Sequence, residues 1–281
     1  MRFATHRPGP PLDAFVDHFW YYDDLVVSHP RERVLPNGTF TLIFNLSPTP
    51  RRLFSRDPDT PPRQFRRAWV SGAHSGFILI DALPGTSLMG VHFRAGGAAR
   101  FLGLPAGRLR DTVVELDSIW NSEGVALWQA LTEAPDPGAK FSLLERELVA
   151  RHHRLPSSDV LVAEALRRFG TTPGLARIDD VVASAGVSHA RFIERFDRAV
   201  GLSPKRYCRI LRFQEVLRRL EQRRPVSWVH LAGDCGYYDQ AHFIREFREF
   251  SGLVPTRYLT EKGEYLNFVP CAPTTPPRGG G

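Results

Sequence analysis

One stretch of this chain is written twice, and that duplication constrains the fold more than any other feature. Residues 186–207 read GVSHARFIERFDRAVGLSPKRY, and residues 236–258 read GYYDQAHFIREFREFSGLVPTRY. With a shift of 51, Phe192 to Tyr207 and Phe243 to Tyr258 agree at eight of sixteen positions, where ordinary residue usage would give roughly one. The shared residues are Phe, Ile, Phe, Gly, Leu, Pro, Arg and Tyr. An apolar stripe and a chain break are therefore kept, which marks each copy as one supersecondary unit.

The spacing within each copy is helical. Phe192, Phe196 and Ala199 share one side of a helical wheel, and Gly186-Val187-Ser188 supplies a turn before them with Ser188 placed to cap the helix. Upstream, Ile178, Val181, Val182 and Ala185 form a second apolar face. Two short helices meeting across a turn that contains glycine are a helix-turn-helix signature. In the second copy Trp228, Leu231, Ala232 and Cys235 make the first helix, Gly236 the turn, Asp239 the cap, and Phe243, Phe247 and Phe250 the buried stripe of the next. Between the copies Gly201 ends a helix, and Ser203 and Pro204 begin another, over about 204–221, that joins the modules.

The phenylalanine stripes are core, so any recognition must use the opposite faces. At about 100° per residue, those faces carry Ala190, Arg191, Glu194 and Arg198 in the first unit. In the second they carry Ala241, His242, Arg245 and Arg248, with Gln240 at the helix start. An exposed arginine is ordinarily only a solvated side chain, but on the second helix of such a unit it meets base edges or phosphates. Arg245 can donate twice to a guanine edge, and Gln240 can pair with adenine. Arg191, Arg198, Arg206, Arg209 and Arg248 are the candidates for neutralising phosphates.

This region resembles the DNA-binding domain of AraC/XylS-type transcription regulators, in LAGDCGYYDQAHFIREFREFSGLVPTRYL (231–259) and in AGVSHARFIERF and GLSPKRY of the first unit. The resemblance covers about residues 158–262 and implies sequence-specific binding of double-stranded DNA. Val182 stands where the family usually has a small alanine, matched here by Ala232, and Glu194 stands where it commonly has a basic residue. The first half also looks like the N-terminal domain carried by a subset of these regulators, in PPLDAFVDHFW, RERVLPNG and VHFRAGGAARFLGLPAGRLRD. That resemblance implies a domain that senses a small molecule or dimerises and a chain that works with the transcription machinery. It leaves open whether there is an effector or a homodimer, and the effector's binding residues are unknown.

Composition agrees with these readings without deciding them. At 281 residues the chain has length for about two domains, and its net charge is +7. Residues 157–262 hold 18 Lys and Arg against 13 Asp and Glu, and residues 1–156 hold 18 against 16. A basic surplus on the repeat suits a polyanionic partner, though it equally describes a solvated surface. Cys208, Cys235 and Cys271 have no CxxC spacing, and His6, His18, His29, His74 and His92 have no metal-ligand spacing, so no metal or cofactor is expected. The absence of a signal-peptide pattern and of a membrane-length apolar run leads to the expectation of a cytoplasmic protein without a membrane partner.

The fold class expected is α+β. Residues 1–156 read as an N-terminal regulatory domain, a mixed sheet or barrel-like unit with helices. Residues 157–262 read as an all-α DNA-binding domain of about seven helices, independent of the first half, and 263–281 as a disordered tail. Leu12, Phe15, Val16 and Phe19 fit a short amphipathic helix. Residues 39–46, 68–71, 77–81 and 87–94 read as strands, and 48–64 as a Pro- and Arg-rich loop. Helical spacing follows over about 97–102, 116–120, 125–131 and 139–152, with the domain boundary at Pro156-Ser157-Ser158. The function expected is a transcription regulator reading two successive major grooves under control of its N-terminal domain. The alternative, a DNA-associated enzyme with a helix-turn-helix appendage, finds neither a nucleophile paired with a base nor a metal cluster in the sequence.

Overall fold

A computed structural model describes residues 2–152, 159–173, 176–222 and 227–271. The first half is built from two antiparallel sheets. One has six strands, ordered β1 (Arg2–His6), β2 (Val16–Asp23), β9 (Leu88–Phe93), β4 (Thr41–Asn45), β7 (Ala68–Ser71) and β10 (Val113–Glu115). The other has five: β11 (Phe268–Cys271), β3 (Arg31–Val34), β8 (Ile78–Asp81), β5 (Arg51–Phe54) and β6 (Arg63–Phe65).

Period-two alternation sorts the six-stranded sheet into two apolar faces. Phe19, Tyr21, Leu42, Phe44, Val70, Met89, Val91 and Phe93 enter the main core. Helices α1 (Ala98–Leu102), α2 (Asp117–Glu133) and α3 (Pro137–His152) cover that side, through Phe101, Trp120, Leu131, Phe141 and Leu148. The other face sets Trp20, Tyr22, Ile43, Trp69 and Leu88 against Leu53 and Phe65 of the five-stranded sheet. A strand covered on both faces does not alternate polar with apolar residues, and this explains one correction. Residues 12–19 are not a helix: a 3-10 turn spans Leu12–Ala14, and β2 starts at Val16.

Two further expectations fail. The stretch 48–64 is not all loop, because β5 lies within it and β6 begins there, with buried Arg51 donating to the Asp81 backbone carbonyl and ion-paired with its carboxylate. The tail is not disordered throughout 263–281: β11 pairs antiparallel with β3, Val269 opposite Arg33, and buries Val269 and Cys271. Pro270 is tolerated because β11 is an edge strand, where a missing N–H leaves no ladder bond unmade. Residues 272–281 lie outside the described residues, as does the Pro156-Ser157-Ser158 boundary. The helical segments expected at 116–120 and 125–131 are both present, as the two arms of α2 on either side of a kink of non-helical backbone at Asn121.

The second half contains seven helices among the described residues: α4 (Val160–Thr171), α5 (Ile178–Ala185), α6 (His189–Val200), α7 (Pro204–Leu220), α8 (Trp228–Asp234), α9 (Gln240–Ser251) and α10 (Pro255–Glu261). It is not independent of the first half, since a single apolar cluster runs from Leu12 through to Val269. Two loops of the first half, 72–77 and 105–112, are fastened together by Gly72 N–H to the Thr112 carbonyl and Asp111 N–H to the Ala73 carbonyl, at 3.0 and 3.1 Å. The second of these loops reaches α6 through Arg110, which donates to the Gly201 carbonyl at 2.8 Å and pairs with Asp197. The first reaches the C-terminal end of α9: Phe77 N–H donates to the Phe250 carbonyl at 3.0 Å, and its ring lies on Gly252, where any Cβ would meet it at 2.7 Å. The connecting helix α7 is held too, Gln214 donating to the Pro36 carbonyl and to Asn267, both at 2.8 Å.

Candidate nucleic-acid interface

The two units are built alike from the chain upward. α5 ends at Gly186, whose φ of 63° turns the chain, and Ser188 then accepts from Arg191 N–H at 3.3 Å to start α6. α8 is followed by Gly236, with φ 75°, and Asp239 accepts from His242 N–H at 2.6 Å to start α9. α6 and α9 are each 12 residues long and each ends at a left-handed glycine, Gly201 or Gly252. The 51-residue shift therefore superposes caps, lengths and breaks. Ser203 caps α7, accepting from Arg206 N–H at 3.2 Å, with Pro204 in its first turn.

Packing fixes which face each helix turns outward. Phe192, Phe196 and Val200 of α6 are buried, and Phe243, Phe247 and Phe250 of α9 likewise. Phe196 meets Phe169 and Tyr207, while Phe247 meets Phe213 and Tyr258, each ring near-perpendicular or tilted at 5.2–5.9 Å. The opposite side of α6 exposes Ala190, Arg191, Glu194 and Arg198, and that of α9 exposes Gln240, Ala241, Arg245 and Arg248. His242 is the exception among the nine expected residues: it is half-buried, edge-on to Tyr237, with Nε2 3.7 Å from the Glu246 carboxylate.

Charge on this half is sorted by burial. Glu246 is buried and accepts from Arg209 at 2.6 Å and from Arg212 at 3.0 Å. Glu249 accepts from Arg209 and Arg206, and Arg206 also donates to the Ser75 carbonyl of the first half. Burial by itself would raise the Glu249 pKa, but the bonds from Arg206 and Arg209 prevail and hold it below the usual carboxylate range. Arg206 and Arg209 were expected at phosphates, yet both are taken up by these carboxylates. On α6, Arg195 makes a two-pronged pair with Asp159, the cap of α4, at 2.6 and 2.7 Å, which ties the first unit to the helix ahead of it.

Several exposed side chains on this surface escaped the sequence reading. Tyr238 is 92% exposed in the turn before α9, and Ile193 is 45% exposed on α6. The sequence signal for Tyr238 was available, a second bulky aromatic two residues after the turn glycine Gly236 and directly before the capping Asp239. Burial pushes the Cys208 thiol up to about 12 and the Cys235 thiol to about 11, and raises that of Cys271 as well, so each is held as the thiol near neutrality. No group of three His, Cys, Asp or Glu residues that could hold a metal exists among the described residues, and no helix there is long and apolar enough to cross a membrane.

Comparison with known proteins covers both halves separately. A family described as a helix-turn-helix domain matches residues 181–261, and a domain of unknown function, DUF6597, matches residues 4–115. The chain is 32% identical over 87 residues to the HTH-type transcriptional regulator MtrA of Neisseria gonorrhoeae, covering 31% of this chain and 29% of that one. It is 32% identical over 81 residues to an uncharacterized HTH-type transcriptional regulator of Haemophilus influenzae, covering 29% and 27%. The chain thus spans under a third of the length of these curated relatives. Among solved structures, ToxT from Vibrio cholerae aligns at 8% identity over 92% of this chain and 98% of that chain, with a TM-score of 0.45.

Proposed function

Because its C-terminal region belongs to the AraC/XylS-type helix-turn-helix family, we propose that this chain is a sequence-specific DNA-binding transcription regulator. The observation that carries the reading is the pair α6 and α9, similarly capped and of equal length, each burying phenylalanines on one side and exposing Arg191 and Arg198, or Arg245 and Arg248, on the other. Two recognition helices in one chain, joined by the single helix α7, would enter successive major grooves about 34 Å apart on one face of the duplex. One chain would then read an asymmetric site of about two helical turns. The first half, whose loops touch both units, would carry the controlling input, from a small molecule or a partner.

Selection of binding sequences from a random duplex pool, followed by footprinting of the winner, tests this. The expected result is an asymmetric site protected over two turns by one chain. A strictly palindromic minimal site, with one unit of each of two chains on each half, would contradict it. A thermal-shift screen of the full chain addresses the input, since a small molecule bound only by the folded state must raise the melting temperature.

A further inference from the structure

Between the two helix-turn-helix units lies a cleft of about 720 Å³, floored by the start of α7 and walled by the start of α5 and by α9. Its charges fall into two groups. Arg209 and Arg212 on the floor are committed to Glu246 and Glu249, as described above. Arg177, Lys205 and Arg245 are exposed, line the same cleft, and make no ion pair among the described residues. The remaining carboxylate, Asp179 at the Arg177 edge, is 69% exposed and lies 3.8 Å from His189.

The placement of the unpaired cations has no structural explanation in the fold. Lys205 stands in the first turn of α7, the positive end of the helix dipole, where a cation is disfavoured and an acid is favoured. Arg177 occupies the cap position of α5, where a side-chain acceptor would be preferred, and no capping bond forms. Two elements from different parts of the chain thus bring unneutralised cations to one opening against local electrostatic preference. Arg245 belongs both to the cleft and to the outward face of α9, so the cleft opens on the side of the recognition helices.

We propose that this cleft seats phosphoryl oxyanions, those of the DNA backbone that passes between the two major grooves, with Arg177 and Lys205 as the contacting groups. The inference rests on the two-groove reading above. If α6 and α9 occupy successive major grooves, the intervening backbone must pass in front of whatever lies between the units, and what lies there is this cleft. Contacts of this kind carry no base information, and their signature is the salt dependence of binding rather than sequence preference.

The test measures the affinity of the full chain for a non-specific duplex, long enough for both units, over a range of salt concentrations. The double variant Arg177→Ala/Lys205→Ala should bind every sequence more weakly, with single-base preferences unchanged. Its plot of log affinity against log salt should be shallower by nearly two, about 0.9 for each lost phosphate contact. Arg218→Ala, which removes a cation paired with Glu215 outside the cleft, should leave the slope as it was. Both cleft side chains are exposed, and an unaltered melting temperature verifies the fold of the variant. A wild-type slope in the double variant overturns the proposal. So does thermal stabilisation of the wild type, but not of the double variant, by inorganic pyrophosphate together with an unchanged DNA slope, which would assign the cleft to free phosphate. Failure of the parent reading looks different: the pool selection returns no preferred sequence while the slope difference persists.

Discussion

Under the 51-residue shift Glu194 and Arg245 are the same position, on equivalent outward faces, with opposite charge. Arg245→Ala should cost about 1–3 kcal/mol at one base pair and relax preference there, because a guanidinium donates twice to a guanine edge. A carboxylate facing the backbone repels phosphates wherever the protein lands, so Glu194→Ala should tighten non-specific binding and leave preference nearly unaltered. A panel of single-base changes at fixed salt measures both. Loss of discrimination at one cytosine in Glu194→Ala, with none lost in Arg245→Ala, would reverse the roles. A second residue-scale expectation concerns His74 and His92. Burial lowers the pKa of each to about 4, the imidazole of His92 facing His18 and Asp17, and that of His74 facing Asp111 and Arg56. A folded-state pKa below the unfolded value of a base means that the unfolded chain binds the extra proton first. Stability should therefore fall as pH drops from about 6.5 to about 4, by at most about 3 kcal/mol for each histidine, and be flat with respect to these groups above pH 7. Denaturant melts of the wild type and of His92→Gln across that range check it: the variant should lose less.

At the scale of elements, what could be read from the sequence followed local rules. The caps Ser188, Ser203 and Asp239, the closing glycines and the stripes of Phe192 and Phe243 are decided within one helical turn, and the structure has all of them. The strands around Leu42, Val70 and Val91 were legible as well, because one strongly apolar face is enough to reveal a strand. β2 was not, since Leu12, Phe15, Val16 and Phe19 fall by chance at helical spacing, and Phe19–Tyr22, needed on both faces of the sheet, has no alternation to contradict it. β11 was invisible for another reason. Its partner β3 lies more than 230 residues away, and a Pro-containing FVPC becomes a strand only because that edge is there to receive it. The outward residues of α6 and α9 followed from periodicity, whereas the engagement of Arg206 and Arg209 by Glu249 and Glu246 depends on how α7 and α9 pack. Removal of residues 264–281 should accordingly lower the melting temperature of the whole chain, because Val269 leaves the common core and Gln214 loses Asn267. An unchanged melting temperature would mean that β11 adds nothing to stability.

For the molecule as a whole, one apolar cluster shared by sheets and helices predicts one cooperative transition. Calorimetry of the full chain should give a single endotherm whose van't Hoff and calorimetric enthalpies agree, and two separated transitions would count against a common core. The paired loops 72–77 and 105–112 then have a further meaning, for they grip α6 at Gly201 and α9 at Phe250 at the same time. A body held at both jaws is a caliper, and a caliper measures one length. Inserting one base pair between the two half-sites moves the second by about 3.4 Å and rotates it by about 34°, a helical displacement that a fixed gauge cannot follow. The intact chain should therefore lose the inserted site almost entirely, while the double change Phe77→Ala/Arg110→Ala, which removes the ring from Gly252 and the guanidinium from Gly201 and Asp197 and so loosens both jaws, should narrow the gap between the two spacings. Equal intolerance in both proteins would place the gauge in α7 instead.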